Sequence, residues 1–362
     1  MKSKLFILIV MLVVSISLIL VSCSQPAPTP APTPAPTPAP TPAPAAQEVT
    51  LKAVSAWPWD TKDLLTFREY IERVNDRGKG VVQIEYLGSE DVYPSDQHGA
   101  VLQQGVIDLL FTSPSYISDV FPEGVITGWN FGADPVAWRE AGMVDLLDKM
   151  GRDKAGIGTL GIDWIGNFHI WLVKPIKTLD DLKNLRIRKI ALYDPVYRAL
   201  GVPAVTVGFS EIYTSLQTGV IDAVTYPYND IITYGWSDVL KYRLDPPFWR
   251  AVECPIYYNA KNFDALPAAV KKILTDTMVG LEGEIAAMDD AQAVAQWEDM
   301  KKLGMESIRL TDSEWSKVQE LHWNGGPKFF KDLGASQENI DKMFEAVKVF
   351  YPPKVPYAVA GD

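Results

Sequence analysis

The stretch SLQTGVIDAVTY, residues 215–226, has the pattern of a helix end, a glycine that stops the helix, and a buried strand. A second stretch, VLQQGVIDLLF at residues 101–111, repeats the pattern LQ-x-GVID. The repetition predicts two similar lobes that each contain this helix–glycine–strand unit and that face one another. The alternative is a chance match between two turns of a common kind.

The rest of the chain alternates between strand and helix patterns in the same way. Residues 49–57 alternate as a strand does, and residues 63–78 have helical spacing that ends in glycine. This order predicts an α/β fold with mostly parallel sheets and a ligand site at the strand ends. Residues 161–173 are long enough to bridge two lobes, and residues 263–303 are mostly helical. The folded part is longer than one core usually holds, which also favours two lobes.

Local signals give several more expectations. Residues 134–151 are expected to form a helix, and Ser210 is expected to cap the helix that follows it. Thr178 and Thr311 each begin a capping box.

Residues 156–161, GIGTLG, match the dinucleotide pattern G-x-G-x-x-G, but a helix precedes them and a strand follows. A dinucleotide site needs the opposite order, so these glycines are expected to form a loop.

The N-terminus predicts export and a membrane anchor. Residues 1–22 have a basic start and an apolar run that is too short to span a bilayer, as in a secretory signal peptide. The segment LVSC, residues 20–23, resembles a lipobox, which makes Cys23 the lipidated first residue of the mature chain. The alternative is an ordinary signal peptide that contains a cysteine. Residues 23–47 are an uncharged Pro/Ala/Thr-rich tether, and the folded domain is expected over residues 48–362.

Composition and motifs exclude several classes of function. The net charge of −11 disfavours a nucleic-acid partner. The chain has no P-loop, no H-E-x-x-H and no G-x-S-x-G, and His98, His169 and His322 are scattered without metal-ligand spacing. We therefore expect neither an enzyme nor a bound cofactor or metal. If Cys23 is lipidated, Cys254 has no partner for an intrachain disulfide.

The segment LRIRK, residues 185–189, places two arginines in an apolar context. If it is a strand, Arg186 and Arg188 point to the same face. Around it, residues 174–227 resemble the solute-binding subunits of tripartite ATP-independent periplasmic (TRAP) transporters, of the DctP type. The family patterns DLKGLKIRV, LGA-x-PV and EVY-x-ALQTGVVDG have counterparts there in order, and residues 105–123 and 257–274 match two further segments.

The resemblance implies a two-lobe periplasmic-binding-protein (clamshell) fold with hinge strands and a long bracing helix. Lobe 1 would cover residues of about 48–165 and part of the C-terminal region, and lobe 2 about 170–260. In the family, ligand closes the lobes and the closed form docks on a membrane permease that uses an ion gradient. The arginine of the K-I-R motif binds the ligand's carboxylate. That position is Arg188 here, whereas Arg186 falls on the family's lysine and is expected to face solvent or a structural acid.

Departures from the family pattern bear on the ligand. Phe168 stands where sialic-acid binders carry a second arginine, and Tyr226 stands where they carry an asparagine. Thr225 replaces a glutamate that can ligate a metal in keto-acid and lactate binders. The remaining pocket positions implied by the resemblance are Trp57, Thr112, Ser113, Tyr116 and Phe209, of which Phe209 fits pocket and core equally well. One positive charge among aromatic and hydroxyl groups predicts a monocarboxylate with an apolar, branched or aromatic body.

Three functions therefore compete. The first is a lipid-anchored extracytoplasmic binding protein that captures an organic acid and delivers it to a TRAP permease. The second is a sugar-binding lipoprotein of an ATP-driven importer, because the 11 tryptophans could stack on sugars. The third is a secreted hydrolase that uses some of the many carboxylates. Sugar binding predicts indifference to Arg188, and hydrolysis predicts turnover.

Overall fold

The computed structural model describes residues 48–129, 134–163, 165–252 and 254–350. The predicted signal peptide, Cys23 and the tether lie outside these residues. The strands in this part of the chain are β1 Val49–Ser55, β2 Val82–Gly88, β3 Leu109–Phe111, β4 Ile157–Ile162, β5 Gly166–Leu172, β6 Ile187–Lys189, β7 Ala204–Thr206, β8 Ala223–Tyr226, β9 Tyr242–Val252, β10 Pro255–Asn259 and β11 Glu306–Arg309. The α-helices are α1 Leu65–Arg77, α2 His98–Gln103, α3 Pro135–Glu140, α4 Met143–Ala155, α5 Asp194–Leu200, α6 Ile212–Gln217, α7 Ala260–Ala265, α8 Ala268–Lys302, α9 Asp312–Asp332 and α10 Gln337–Val347.

The strands form two mixed sheets. The first has the order β2-β1-β3-β10-β4, and the second has the order β11-β9-β5-β8-β6-β7. β1 is parallel to β2 and β3, and β6 is parallel to β7 and β8. In contrast, β10 is antiparallel to β3 and β4, and β5 is antiparallel to β8 and β9. The expected α/β class and two-lobe fold are confirmed, but the sheets are less parallel than the alternation of elements suggested.

The antiparallel strands are those on which the chain passes between the sheets. The chain leaves the first sheet after β4 and enters the second with β5, and it returns from β9 to β10. Both passages join strands of different sheets with no helix between them among the described residues. The strands β4, β5, β9 and β10 are therefore the hinge strands implied by the family resemblance. The lobe bounds shift accordingly, because β10 belongs to the first sheet and β11 to the second. The second sheet therefore begins at residue 166, leaves out residues 255–259 and regains residues 306–309.

The two LQ-x-GVID segments occupy equivalent places in the two sheets. α2 leads through Gly105 to β3, and α6 leads through Gly219 to β8. The two glycines have φ values of 70° and 67°, a left-handed conformation that favours glycine. The sequence echo therefore marks a structural repeat.

The aspartate of each GVID segment ties its turn to the neighbouring strand. The Asp108 carboxylate accepts a hydrogen bond from the backbone N–H of Lys52 at 2.8 Å, and the Asp108 N–H donates to the Lys52 carbonyl. Asp222 makes the same pair of bonds with the backbone of Arg186, at 2.9 and 2.7 Å. Both β3 and β8 are thereby aligned with their neighbours in the same way.

The 35-residue helix α8 packs against both lobes. In its N-terminal half, the buried Glu282 carboxylate forms an ion pair with Arg139 at 2.5 Å, near β4. In its C-terminal half, the Trp297 ring lies 3.6 Å from the guanidinium carbon of Arg243, on β9. This is the long bracing helix implied by the resemblance. Within the described residues, none of the helices has the length and apolar character that a membrane crossing requires.

The GIGTLG segment forms most of β4, so the expectation of a loop is wrong. All six residues of β4 are buried. A Cβ atom at Gly158 would lie 2.0 Å from the Tyr258 ring, and one at Gly161 would lie 2.3 Å from the Met278 side chain. The glycines therefore let a β10 side chain and α8 pack directly on the strand backbone, a requirement that only the tertiary fold reveals.

Two helical segments also differ from expectation. The helix expected over residues 134–151 is broken into α3 and α4, because Gly142 adopts a φ of 74°. Ser210 does not cap α6. Instead a 3₁₀ turn at Phe209–Glu211 precedes the helix, and the Glu211 carboxylate accepts from the Gly208 N–H at 3.1 Å. The capping boxes at Thr178 and Thr311 are present as predicted.

Candidate functional site

A cavity lies between the two sheets. Segments that follow β1 and β3 line one side, and β5, β6 and β8 line the other, so the site is at strand ends as the fold class predicts. The lining residues are Trp57, Asp63, Ser113, Pro114, Ser115, Tyr116, Val125, Gly128, Ile165, Phe168, Arg188, Ile190, Leu192, Tyr193, Tyr226, Pro227 and Cys254. Among these described residues, the lining has one basic and one acidic side chain and is otherwise apolar, aromatic or hydroxyl-bearing.

Arg188 supplies the basic side chain. It lies on β6 with β7 on one side and β8 on the other, and it is only 2% exposed. Its Nε donates to the Val207 carbonyl at 3.2 Å, and its Nη2 donates to the Tyr116 hydroxyl at 3.3 Å. No carboxylate of the described residues forms an ion pair with it. Since arginine stays charged in proteins, the cavity contains a buried cation that a carboxylate would match through two parallel hydrogen bonds.

Arg186 is separated from the cavity. It precedes β6, its side chain is 49% exposed, and its Nε donates to the Asp222 carboxylate at 2.9 Å. The hydrogen bond from Arg186 lowers the pKa of the Asp222 carboxyl, and this ion pair lies at the surface. The expectation that Arg186 faces a structural acid is confirmed.

Asp63 supplies the acidic side chain, and no sequence pattern indicated its place in the site. It lies in the 3₁₀ turn Lys62–Leu64 before α1 and is 2% exposed. Its Oδ2 accepts a hydrogen bond from the Tyr234 hydroxyl at 2.8 Å and another from the Tyr226 hydroxyl. Both tyrosines come from the second lobe, so this carboxylate joins the two lobes at the cavity.

The tyrosine hydroxyl groups beside the two charged residues stay neutral at ordinary pH. Burial raises the pKa of Tyr226 well above its usual value, and the Asp63 carboxylate beside it raises the pKa further. Burial also raises the pKa of Tyr116, although Arg188 partly offsets this. The Tyr226 hydroxyl can therefore donate to Asp63, and the Tyr116 hydroxyl can accept from Arg188, without either ring becoming charged.

A second contact between the lobes lies beside the cavity. The Asp230 carboxylate accepts from the backbone N–H groups of Lys62 and Asp63, at 2.5 and 3.1 Å. Asp230 has a φ of 62°, which is uncommon for a residue other than glycine, and its own N–H donates to the Gln296 side chain on α8 at 3.1 Å. The contact therefore links both lobes and the bracing helix.

The structure brings together most of the site residues predicted from the sequence. Trp57, Ser113, Tyr116, Phe168, Arg188 and Tyr226 line the same cavity. Thr112 does not line it, because its side chain is fully buried and lies 3.1 Å from His98 Nδ1. Phe209 does not line it either, since its ring packs behind Tyr226, with ring centroids 6.1 Å apart.

His169 and Thr225 also lie outside the lining. His169 Nδ1 lies 3.0 Å from an Asp245 carboxylate oxygen, and burial lowers the pKa of this histidine. Thr225 shares a hydrogen bond with the Tyr197 hydroxyl. Among the described residues, no group of three or more His, Cys, Asp or Glu side chains is placed to hold a metal ion.

Two α/β lobes joined by hinge strands, with a cavity between them and a long helix across both, define a solute-binding protein of the clamshell class. Residues 55–324 match the bacterial extracellular solute-binding proteins of family 7, DctP. The chain belongs to this family. Its members are extracytoplasmic substrate-binding proteins of the TRAP type, which bind small organic ligands and work with a membrane permease, and they are not enzymes.

Individual relatives differ in their named ligands. The C4-dicarboxylate-binding periplasmic protein DctP of Rhodobacter capsulatus is 28% identical over 253 residues, which are 67% of this chain and 72% of that protein. A TRAP periplasmic solute-binding protein of Desulfovibrio salexigens, with bound orotic acid, has a TM-score of 0.74 at 21% identity and covers 83% of this chain and 99% of its own. DctP7 of Bordetella pertussis, a receptor that binds pyroglutamic acid, has a TM-score of 0.73 at 19% identity with the same coverage. These similarities establish the fold, and the ligand must be inferred from the site.

Proposed function

We propose that the protein captures a monocarboxylic acid outside the cytoplasm through Arg188 and delivers it to the permease of a TRAP transporter. The observation that supports this is the state of Arg188, which is 2% exposed, faces the cavity and is paired with no carboxylate of the described residues. Burying an unpaired charge is strongly unfavourable, so the arginine favours an anionic occupant. Because Arg188 also bonds to Tyr116 of the other lobe, a bound carboxylate would stabilise the closed arrangement.

The rest of the lining favours an apolar or aromatic ligand body. Trp57, Phe168, Tyr193 and Tyr226 present ring surfaces to the cavity. Burying apolar ligand surface contributes about 25 cal/mol per Å², and offset stacking on these rings adds to it. A keto or hydroxyl group on the ligand would meet Ser113, which lines the cavity, and would not meet Thr112, which faces His98.

The relatives are compatible with this chemistry without deciding it. Orotic acid and pyroglutamic acid, the ligands named for two similar structures, are both ring-containing monocarboxylic acids. The Rhodobacter capsulatus relative is named for C4-dicarboxylates instead. Arg188 is the only basic side chain among the described lining residues, so a second carboxylate would have no cation to pair with.

The proposed location follows from the family and from the N-terminal sequence. Export is a property of the family, and Cys23 is proposed as the lipidated residue that anchors the chain to a membrane. Residues 24–47 would then act as an extended spacer of roughly 70 Å, at about 3.1 Å per residue. Such a spacer would let the folded domain reach a permease in the same membrane.

A thermal-shift comparison tests the proposed ligand class, because a ligand that binds only the folded state raises the melting temperature. The acids are phenylacetate, 4-methyl-2-oxopentanoate and succinate, and phenylacetamide and glucose serve as uncharged controls. We expect at least one of the two monocarboxylates to raise the melting temperature most, and phenylacetamide to have no effect. The largest shift with succinate would contradict the monocarboxylate proposal, and a shift with glucose alone would contradict acid binding.

A further inference from the structure

We infer that Asp63 determines the charge specificity of the cavity. The structure assigns it the role of an acceptor for a hydrogen-bond donor on the ligand, such as a hydroxyl, amide N–H or ammonium group remote from the carboxylate. The same residue would reject ligands that carry a second carboxylate. This inference rests on the proposed binding of a carboxylate by Arg188 and adds a requirement on a second group of the ligand.

Three observations on Asp63 carry the inference. Its side chain lines the cavity, it is 2% exposed, and it is the one acidic residue among the described lining residues. It comes from the first lobe, before α1, whereas Arg188 comes from β6 of the second lobe. A ligand enclosed between the lobes therefore meets a cation presented by one lobe and an anion presented by the other.

Two hydroxyl groups of the second lobe converge on Asp63. Tyr226 and Tyr234 both donate hydroxyl hydrogens to its Oδ2. Both donors belong to the second lobe, so they reach Asp63 only when the lobes are together. Closure of the lobes around a ligand therefore also brings these two hydrogen-bond donors to Asp63.

Electrostatics inside the cavity then discriminate between ligands. Two carboxylates that share a desolvated site cannot both remain charged without a large cost, so a distal carboxylate would have to take up a proton or stay out. A distal hydroxyl or N–H would gain a charge-assisted hydrogen bond, and a distal ammonium would also gain an attraction. A distal methyl group would gain neither of these interactions.

Two matched series of acids test the inference. The aliphatic series is pentanoate, 5-hydroxypentanoate, 5-aminopentanoate and glutarate, and the aromatic series is phenylacetate, 4-hydroxyphenylacetate and 4-carboxyphenylacetate. Each series keeps one carboxylate and its spacer and changes only the distal group. Dissociation constants are measured by calorimetry for the wild-type chain and for Asp63→Asn, whose amide oxygen can still accept from both tyrosines.

Asp230→Asn is the matched control. Asp230 also joins the lobes through its carboxylate, but it does not line the cavity, and asparagine tolerates its φ of 62°. This variant should change the affinity for all acids of a series by a similar factor. If Asp63 acted only in closing the lobes, Asp63→Asn would behave in the same way.

For the wild-type chain we expect the hydroxyl- or amino-bearing acid to bind best in its series and the diacid to bind worst. Asp63→Asn should raise the affinity for the diacid relative to the unsubstituted acid by at least tenfold. It should also remove any preference for 5-aminopentanoate over pentanoate. An unchanged ratio in Asp63→Asn would overturn the inference while leaving Arg188-dependent binding of monocarboxylates, and thus the proposed function, intact. If the wild-type chain binds no acid of either series, the proposed function fails and the inference fails with it.

Discussion

Replacing Tyr234 with phenylalanine tests whether contacts between the lobes contribute to ligand affinity. Tyr234 does not line the cavity, but its hydroxyl donates to Asp63 of the other lobe at 2.8 Å. The ring packs against Phe209 and Trp236, with centroids 5.1 and 5.0 Å apart, and phenylalanine keeps this packing. The substitution therefore removes the hydrogen bond to Asp63, which exists only when the lobes are together.

The size of the effect follows from the kind of bond. A hydrogen bond to a charged group contributes about 1.5–3 kcal/mol. The lower figure applies here, because Tyr234 is only half-buried and the Tyr226 hydroxyl still donates to the same Asp63 oxygen. Since about 1.4 kcal/mol is a factor of ten in affinity, Tyr234→Phe should weaken ligand binding about tenfold. Most of the change should appear as faster ligand release.

Calorimetry measures the dissociation constant, and stopped-flow kinetics measures the rate of ligand release. The ligand is phenylacetate or 4-methyl-2-oxopentanoate, whichever binds the wild-type chain. Tyr213→Phe is the control, because the Tyr213 hydroxyl accepts from Gln217 on the same helix and contacts no residue of the other lobe in the described structure. This control should bind as the wild type does. Equal affinities for the wild type and Tyr234→Phe would refute the reasoning, because the contact at Asp63 would then be irrelevant to closure.

Three further predictions concern the anchor, the pH response and the absence of a metal requirement. Cys23→Ser should release the protein from the membrane fraction, because one lipidated residue is the only anchor that the sequence suggests, and a variant that stays with membranes after a salt wash would disprove it. Burial lowers the pKa of His322 to about 4, so the unfolded chain takes up a proton at a higher pH than the folded chain does. The free energy of unfolding should be highest above about pH 6.5 and should fall by about 3 kcal/mol on this account as pH drops to about 4, and His322→Gln should flatten that slope in urea titrations. Ligand binding should persist in a chelator such as EDTA, since Thr225 stands where some relatives place a metal-ligating glutamate, and loss of binding in EDTA would show that a metal takes part.

The features that the sequence revealed are those encoded by neighbouring residues. The LQ-x-GVID segments identified a repeat because each needs a glycine with positive φ and an aspartate that bonds to the next strand. The capping boxes at Thr178 and Thr311 are likewise local patterns. Arg188 was identified through the resemblance of its surroundings to a family motif, and its burial in the cavity is consistent with that role.

The features that the sequence did not reveal depend on contacts between distant segments. Asp63 looked like an ordinary helix start, and it becomes part of the cavity only because tyrosines more than a hundred residues away donate to it. Thr112 is adjacent to a lining residue, but its hydroxyl lies against His98, 14 residues earlier in the chain, instead of in the cavity. The glycines of β4 resembled a loop because their packing partners on β10 and α8 lie far along the chain.

The central claim, that Arg188 binds the ligand's carboxylate, is tested most directly by calorimetric titration of Arg188→Lys beside the wild type. Lysine keeps the charge but cannot form two parallel hydrogen bonds to a carboxylate, so the affinity for a monocarboxylate should fall at least tenfold while the chain stays folded. Arg186→Lys is the control, because this arginine lies at the surface and pairs with Asp222, and its affinity should match the wild type. Unchanged affinity in Arg188→Lys would contradict the account and would remove Arg188 from the binding site.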